Sequence, residues 1–400
     1  MSLSSCFPSR RRRKKATDLP LRIAVVGAGP GAGAAALRLA RGGAEVTLYA
    51  PAKRGEKPCG GALPEHLLPR LEGFDAASLP AVVAPRACLE NSAGQRLELR
   101  LDGIRIFRRR DLDGALLTAA ERAGARLLPA KAERLEPDGE GVRIDAAGAS
   151  ATYDWVVCAD GARSLGRRRL GLAPEGESVG LGGSLSGVDF RQLVLGFPGA
   201  ADAYLWIFPR PEGVSVGIAW SAGTLSDGAA RGLLREFLER HLPAGWEDLP
   251  GRRYRYPIPV YGPWTSAAAE RGVGRRLLLV GDAAAVADPL TREGIRYAAL
   301  SGDWAAASLL EGQPESYPAR LRRGLDAELS RAARARSLFF EDPIGDWMVP
   351  VARVHPGVRQ VLADLLGCRQ GYRGLRRRLV QAAVGVDAAL GRPRRAAPTV

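Results

Sequence analysis

The residues whose types and spacing could do chemistry are glycines and isolated carboxylates rather than a set of nucleophiles. Val26-Gly27-Ala28-Gly29-Pro30-Gly31-Ala32 follows the apolar run Leu21 to Val26 and precedes a helix-favouring stretch, Ala34 to Arg41. Gly27, Gly29 and Gly31, with Ala32 in the variant third position, permit a tight turn and close backbone approach to a pyrophosphate. The helix amino terminus then favours the phosphate charge. Alone, the pattern says only dinucleotide, and its structural alternative is a plain glycine-rich turn. The acidic residue expected roughly 20 residues on, to hold the adenosine ribose, is replaced by Ala50, so that task falls to a backbone group or a neighbour such as Lys53. Three histidines (His66, His241, His355) lie far apart, which argues against a His-rich metal centre and against a His-based triad. Five cysteines (Cys6, Cys59, Cys88, Cys158, Cys368) contain no C-x-x-C pair, which argues against a disulfide framework or a zinc site and for a reducing compartment. Redox work then belongs to a cofactor.

A second motif runs from Trp155 through Asp160-Gly161 to Ser164, and a third is Leu279-Val280-Gly281-Asp282-Ala283-Ala284, followed by Asp288-Pro289-Leu290-Thr291-Arg292-Glu293-Gly294-Ile295. Singly, each reads as a strand-to-turn transition. In this order the three resemble the flavoprotein fold of aromatic hydroxylases, and their details resemble its geranylgeranyl reductase branch. The resemblance covers residues 20 to 310 and is weak beyond. It implies FAD, with the Asp282 carboxylate accepting hydrogen bonds from the ribityl chain and the segment from Pro289 to Gly294 and Ile295 laying a helix start beside the isoalloxazine. A positive helix end there would stabilise an anionic reduced flavin. Arg292 stands where the family commonly has Gly; it either adds to that stabilisation or points to solvent.

Glu56-Lys57-Pro58-Cys59-Gly60-Gly61-Ala62-Leu63 resembles the Lys-Pro-Cys-Gly-Gly segment of these reductases, so Cys59, Gly60 and Ala62 are expected over the flavin. Cys59 is either a proton donor or gate at the reacting alkene, or a small packed thiol. Arg109-Arg110-Asp111-Leu112-Asp113 resembles a helix start whose arginine contacts flavin, which assigns Arg109; Glu133 falls where a backbone contact to adenine is expected, and Asp160, Gly161 and Gly281 complete the cofactor set. Tyr204-Leu205-Trp206-Ile207-Phe208-Pro209 is similar to the family's Tyr-x-Trp-x-Phe-Pro signature. On a strand Tyr204, Trp206 and Phe208 share a face and could wall a prenyl tunnel, although an aromatic stripe is more often core. Halogenases of this fold resemble Trp-x-Trp-x-Ile-Pro at that position, which disfavours halogenation here.

These residues require an α/β chain: a Rossmann-like FAD-binding domain interrupted by an antiparallel-sheet substrate domain, with a helical carboxyl-terminal region. The expected divisions are a basic flexible arm at 1–19, an FAD-binding domain from 20–75, 105–171 and 272–310, a substrate sheet from 76–104 and 172–271, and helices over 311–400. Expected elements include a helix from Asp111 to Ala123 and strands at Arg126 to Leu128, Gly141 to Asp145, Trp155 to Cys158 and Arg276 to Val280. A helix from Gly294 to Leu310 and an antiparallel series from Leu172 to Pro259 complete them. An apolar insert holds Leu338, Phe339, Phe340, Trp347, Met348 and Val349.

The 400 residues are 46% hydrophobic and 25% charged, a globular balance, with 58 Lys and Arg against 43 Asp and Glu for a net +15. The excess favours anionic partners. Together with the run Arg10 to Lys15 and the basic stretch Arg392 to Arg395, the insert suits peripheral contact with an anionic membrane. A nucleic-acid partner is not expected, because no stacking aromatics interleave with the Lys and Arg. No export signal is read and no apolar run reaches the roughly 18 residues of a membrane span, which makes the expected location cytoplasmic. The expected activity is reduction of prenyl carbon–carbon double bonds by FAD, itself reduced by NAD(P)H or a small electron carrier. The alternative is FAD-dependent hydroxylation of an apolar or aromatic substrate.

Overall fold

A computed structural model of the chain describes residues 20–52, 55–70, 75–173, 177–199, 202–340 and 344–384. The basic arm, Lys53 and the basic carboxyl end lie outside them. In chain order the first elements are β1 (Arg22–Val26), α1 (Pro30–Arg41), β2 (Glu45–Tyr49), β3 (Ala62–Pro64), β4 (Ala81–Glu90), β5 (Arg96–Phe107) and α2 (Arg109–Arg122). Then come β6 (Arg126–Leu128), β7 (Arg134–Asp138), β8 (Gly141–Ala146), β9 (Ala149–Tyr153), β10 (Trp155–Cys158) and α3 (Leu165–Arg169). The middle holds β11 (Ser178–Ser186), β12 (Leu193–Gly196), β13 (Ala203–Arg210), β14 (Gly213–Ser221), α4 (Asp227–His241), β15 (Gly251–Ile258) and α5 (Trp264–Val273). The end holds β16 (Leu277–Leu279), α6 (Ile295–Leu310), α7 (Tyr317–Leu321), α8 (Ala327–Phe340), α9 (Ile344–Val354), α10 (Pro356–Leu366) and α11 (Leu375–Ala383).

A five-stranded sheet in the order β16-β10-β1-β2-β6 is parallel throughout. Its strands are short apolar runs because both faces are covered: Ile23, Ala24, Val25, Leu48, Val156, Val157 and Leu278 have no solvent exposure. This is the Rossmann-like layer, and α1 and α6 cross on it at two glycines. A Cβ on Gly302 would sit 2.3 Å from the Gly31 carbonyl oxygen, so the helices approach to backbone contact. Gly27 is held at φ +131°, and a Cβ there would lie 2.1 Å from the Ala159 carbonyl oxygen, which joins the first glycine turn to the end of β10.

The second sheet has eight strands in the order β15-β11-β14-β13-β12-β4-β5-β3. Its neighbours pair antiparallel except β12 with β4. The short β3, which carries Ala62, joins this sheet and not the parallel one. A three-stranded meander, β7-β8-β9, packs beside the parallel sheet. The carboxyl-terminal helices α9 and α10 cover one face of the large sheet, where Met348, Val349, Val361 and Leu362 pack with Leu97, Leu99 and Leu195. So much of the apolar insert faces inward: Val349 is fully buried and Trp347 is 66% exposed. No helix among the described residues is long and apolar enough to cross a membrane.

Candidate active site

The three glycine-containing turns converge. Gly29 and Gly31 of the first, Gly161 of the second, and Gly281 and Asp282 of the third line one cleft, with Gly294 and Ile295 at the start of α6. Neither α1 nor α6 has an acidic residue in its first turn; α1 has no side-chain cap, whereas at α6 the Arg296 N–H donates to the Glu293 carboxylate at 2.8 Å. The first N–H groups of α1 are therefore left for an anionic ligand. From the other side the Cys59-Gly60 segment and the large sheet close the cleft, with Arg109, Tyr204 and Trp206 in the wall.

Charge in the cleft is organised around Asp282. Lys57 Nζ donates to its carboxylate at 2.8 Å. Burial opposes the Asp282 charge, but Lys57 first, then Arg109 and Arg167, hold the carboxyl below its usual value. Burial likewise opposes the Lys57 ammonium, and Asp282 outweighs it, leaving the lysine above its ordinary value. Arg167 also donates to the Asp282 backbone carbonyl at 3.2 Å and to that of Ala162. Arg109 is buried and paired with Asp113 at 2.9 Å, while its backbone N–H donates to Glu56 at 2.8 Å. Glu56 also receives Arg110 N–H and the Arg210 guanidinium, which in turn donates to the Cys59 carbonyl at 2.7 Å. One carboxylate thus ties the Cys59 segment to the start of α2 and, through Arg210, to β13.

A second, larger cavity of about 590 Å³ adjoins the cleft. Cys59, Gly60, Tyr204, Phe208, Arg292, Gly294 and Ile295 line both. Its far walls are apolar, with Leu193, Leu195 and Phe197 from the sheet and Phe339, Phe340, Met348 and Leu362 from the carboxyl-terminal helices. Tyr204 donates its hydroxyl to the Thr291 carbonyl at 2.9 Å, and burial pushes its pKa up to about 12. Asp288 accepts from Leu290 N–H, Thr291 N–H and the Tyr372 hydroxyl, which pins the third motif to the carboxyl-terminal region. Burial still leaves that carboxyl above its ordinary value.

Several expected residues stand elsewhere. Glu133 is exposed, outside the cleft, with its N–H given to the Asp145 carbonyl. Asp160 turns its carboxylate onto Leu165 N–H at 2.5 Å, and burial raises its pKa. Gly27, Ala32 and Pro289 support the turns without lining the cleft, and Ala62 lines only the larger cavity. Arg292 does not point to solvent: it pairs with Asp202 at 2.7 Å, reaches Ser178 and the Leu290 carbonyl, and lies over the Tyr204 and Phe340 rings. Its φ of +55° explains why glycine suits that position. Arg167, Arg210 and the tyrosines Tyr254 and Tyr256 of β15 escape motif reading, and Lys57 stands in the Lys-Pro-Cys-Gly-Gly motif without its pairing to Asp282 being read there. Only the alternation of the two tyrosines hints at a shared face.

The residues present fit FAD. The uncapped start of α1 and a glycine cradle suit a pyrophosphate, Gly294 and Ile295 bring the start of α6 to the same cleft, and the Tyr254 hydroxyl beside it is buried with no hydrogen-bond partner among the described residues. A model of the pyridine nucleotide-disulphide oxidoreductase family matches residues 21–179. The chain is 29% identical over 336 residues to a chloroplastic geranylgeranyl diphosphate reductase of Arabidopsis thaliana, covering 76% of this chain and 68% of that one. It is 30% identical over 303 residues to digeranylgeranylglycerophospholipid reductase 2 of Methanopyrus kandleri, covering 70% and 74%. Among solved structures, a geranylgeranyl bacteriochlorophyll reductase-like protein of Thermoplasma acidophilum aligns with a TM-score of 0.70 at 22% identity over 90% of this chain and 98% of that one. The flavin-dependent brominase Bmp2 aligns at 0.63 and 17% over 92% and 100%, a likeness of fold alone. Fold, cleft and relatives define an FAD-dependent oxidoreductase. Within that class the chain belongs to the geranylgeranyl reductase family.

Proposed function

We propose that the protein reduces carbon–carbon double bonds of a prenyl chain. The observation that carries this reading is the junction of the two cavities: the glycine-turn cleft and the apolar cavity share one wall at Cys59-Gly60, Tyr204, Phe208 and Gly294-Ile295. FAD bound in the cleft and reduced by NAD(P)H or an electron carrier supplies the hydride.

The chain's own groups do the rest. The first-turn amides of α1 bind the pyrophosphate, Asp282 accepts from the ribityl hydroxyls, and Arg109 and Lys57 offset the negative charge of the coenzyme. Leu193, Leu195, Phe339 and Met348 hold the chain by apolar contact and exclude water, so that an alkene lies against the shared wall. At that wall Cys59 and Tyr204 are the side chains placed to pass a proton to the second carbon. Trp206, whose indole N–H donates to Ser215 at 3.3 Å, lines the glycine-turn cleft and not the apolar cavity that Tyr204 and Phe208 also line.

Anaerobic incubation with dithionite and a geranylgeranyl substrate tests the reading. A product heavier by two hydrogens per bond supports it. Turnover that needs oxygen and adds an oxygen atom overturns it in favour of hydroxylation, the chemistry of a Pseudomonas putida p-nitrophenol 4-monooxygenase that shares the fold at a TM-score of 0.63.

A further inference from the structure

Five described residues other than glycine hold a positive φ, and of these Arg292 alone lines the glycine-turn cleft. At φ +55° a long side chain is strained, and it persists there only where its surroundings hold it. They hold it firmly. The guanidinium donates to Asp202 at 2.7 Å, to Ser178 at 3.3 Å and to the Leu290 carbonyl at 2.9 Å, and only 1% of the side chain is exposed. It lies 5.5 Å from the centre of the Tyr204 ring and 5.4 Å from that of Phe340. The planar fork suits this role, since a lysine ammonium could not serve three polar partners and two ring faces at once.

The charges around the cleft do not balance at this point. Lys57, Arg109, Asp282 and Arg292 are the charged side chains that line it among the described residues. Lys57 faces Asp282 at 2.8 Å and Arg109 faces Asp113 at 2.9 Å, so each has a carboxylate of its own. Arg292 does not: Asp202 also receives Arg336 of α8 at 3.0 Å, and two guanidinium groups share one carboxylate. Neighbouring carboxyls do not make up the difference, because Glu293 faces Arg296 at 3.4 Å and burial holds Asp288 above its ordinary value. One positive charge is left over. The two rings keep water from the Arg292 guanidinium, so its field is weakly screened.

We propose that the Arg292–Asp202–Arg336 cluster tunes the reduction potential of the bound flavin. A hydride brings two electrons and one proton and so adds one negative charge to the coenzyme, which the surplus positive charge favours. The cluster thus helps a hydride donor such as NAD(P)H to reduce the coenzyme. Arg292 and Arg336 act through their field and take no part in proton or hydride transfer. The inference needs FAD in the cleft but not a prenyl acceptor.

The test is an anaerobic dithionite titration of the FAD-loaded enzyme against a reference dye, with no prenyl compound present. R292G suits the φ of +55° and leaves Asp202 paired with Arg336. It lowers the preference for reduced over oxidised coenzyme at least tenfold, a fall in potential of about 30 mV for a two-electron couple. R336Q shifts the potential in the same direction. D202N leaves two cations without their carboxylate and raises the potential by at least as much as R292G lowers it. Flavin content and Tm show which variants are folded, and if D202N is not, R292G and R336Q decide. Equal potentials in wild type, R292G and R336Q at full flavin content overturn the proposal. So does a lowered potential in folded D202N, which would trace the effect to packing instead of charge. Whether the protein reduces prenyl double bonds is decided separately by anaerobic turnover, so either idea can fail without the other.

Discussion

The proposed flavin cleft and the large cavity are made of different material. Main chain builds the cleft: glycine turns, the bare start of α1, the start of α6 and the edges of a parallel sheet. Side chains build the cavity, brought from β3, β12, β13, the turn before α6 and the carboxyl-terminal helices. A backbone cradle tolerates almost no added atoms, whereas an apolar cavity tolerates exchange of shape and size. Substitutions in the two should therefore fail differently.

The sharpest contrast is expected at Gly27. G27V places a branched side chain at φ +131° against the Ala159 carbonyl, and should cost on the order of 3 kcal/mol or more and abolish flavin retention, read from visible absorbance and Tm. A yellow, stable G27V protein would end the idea that the turn is a rigid cradle. D282N leaves Lys57 as a half-buried cation without its carboxylate. With both side chains partly exposed, we expect a loss of about 2 to 3 kcal/mol in denaturant unfolding, together with weaker FAD binding in dialysis. In the cavity, L195W should lower kcat/KM for a prenyl substrate at least tenfold, about 1.4 kcal/mol, while flavin content and spectrum stay normal. Loss of flavin in L195W would erase the distinction between the two regions.

A control lies in neither region. Glu90 of β4 is 1% exposed and binds Arg96, Arg240 and His241, which fastens α4 to the sheet. Burial opposes its charge, yet hydrogen bonds from His241, Arg240 and Arg96 lower its pKa from 4.5 to about 2. Because the folded value is depressed, the stabilisation is present above pH 4.5 and is lost as pH falls towards 2. E90Q should remove roughly 1 kcal/mol at neutral pH and flatten this acid limb in urea titrations, with no change in flavin binding. An unchanged acid limb in E90Q would assign the pH dependence to other carboxylates.

The same division explains what sequence alone discloses. Gly27 to Ala32, the Asp160-Gly161 turn and the Gly281-Asp282 turn are legible because a backbone conformation demands glycine or a short acid at fixed offsets. The parallel strands show as apolar runs for the same local reason. Arg167 and Arg210 are not legible, and Lys57 is legible only as a motif member without its partner, since each gains its role by reaching a residue more than a hundred positions away. Strands β7 and β9 are short and polar, so their pairing with β8 outweighs their pattern. The insert around Phe339 and Met348 looks like a docking surface until the sheet it covers is known.

The hydroxyl of Tyr372 holds Asp288, and so the rear segment of the chain is latched to the loop that opens α6. A graft exchanging residues 327–384 between relatives would thus need to carry its own latch residue. With it, the hybrid should inherit the donor's preference for isoprenoid length while keeping the recipient's coenzyme.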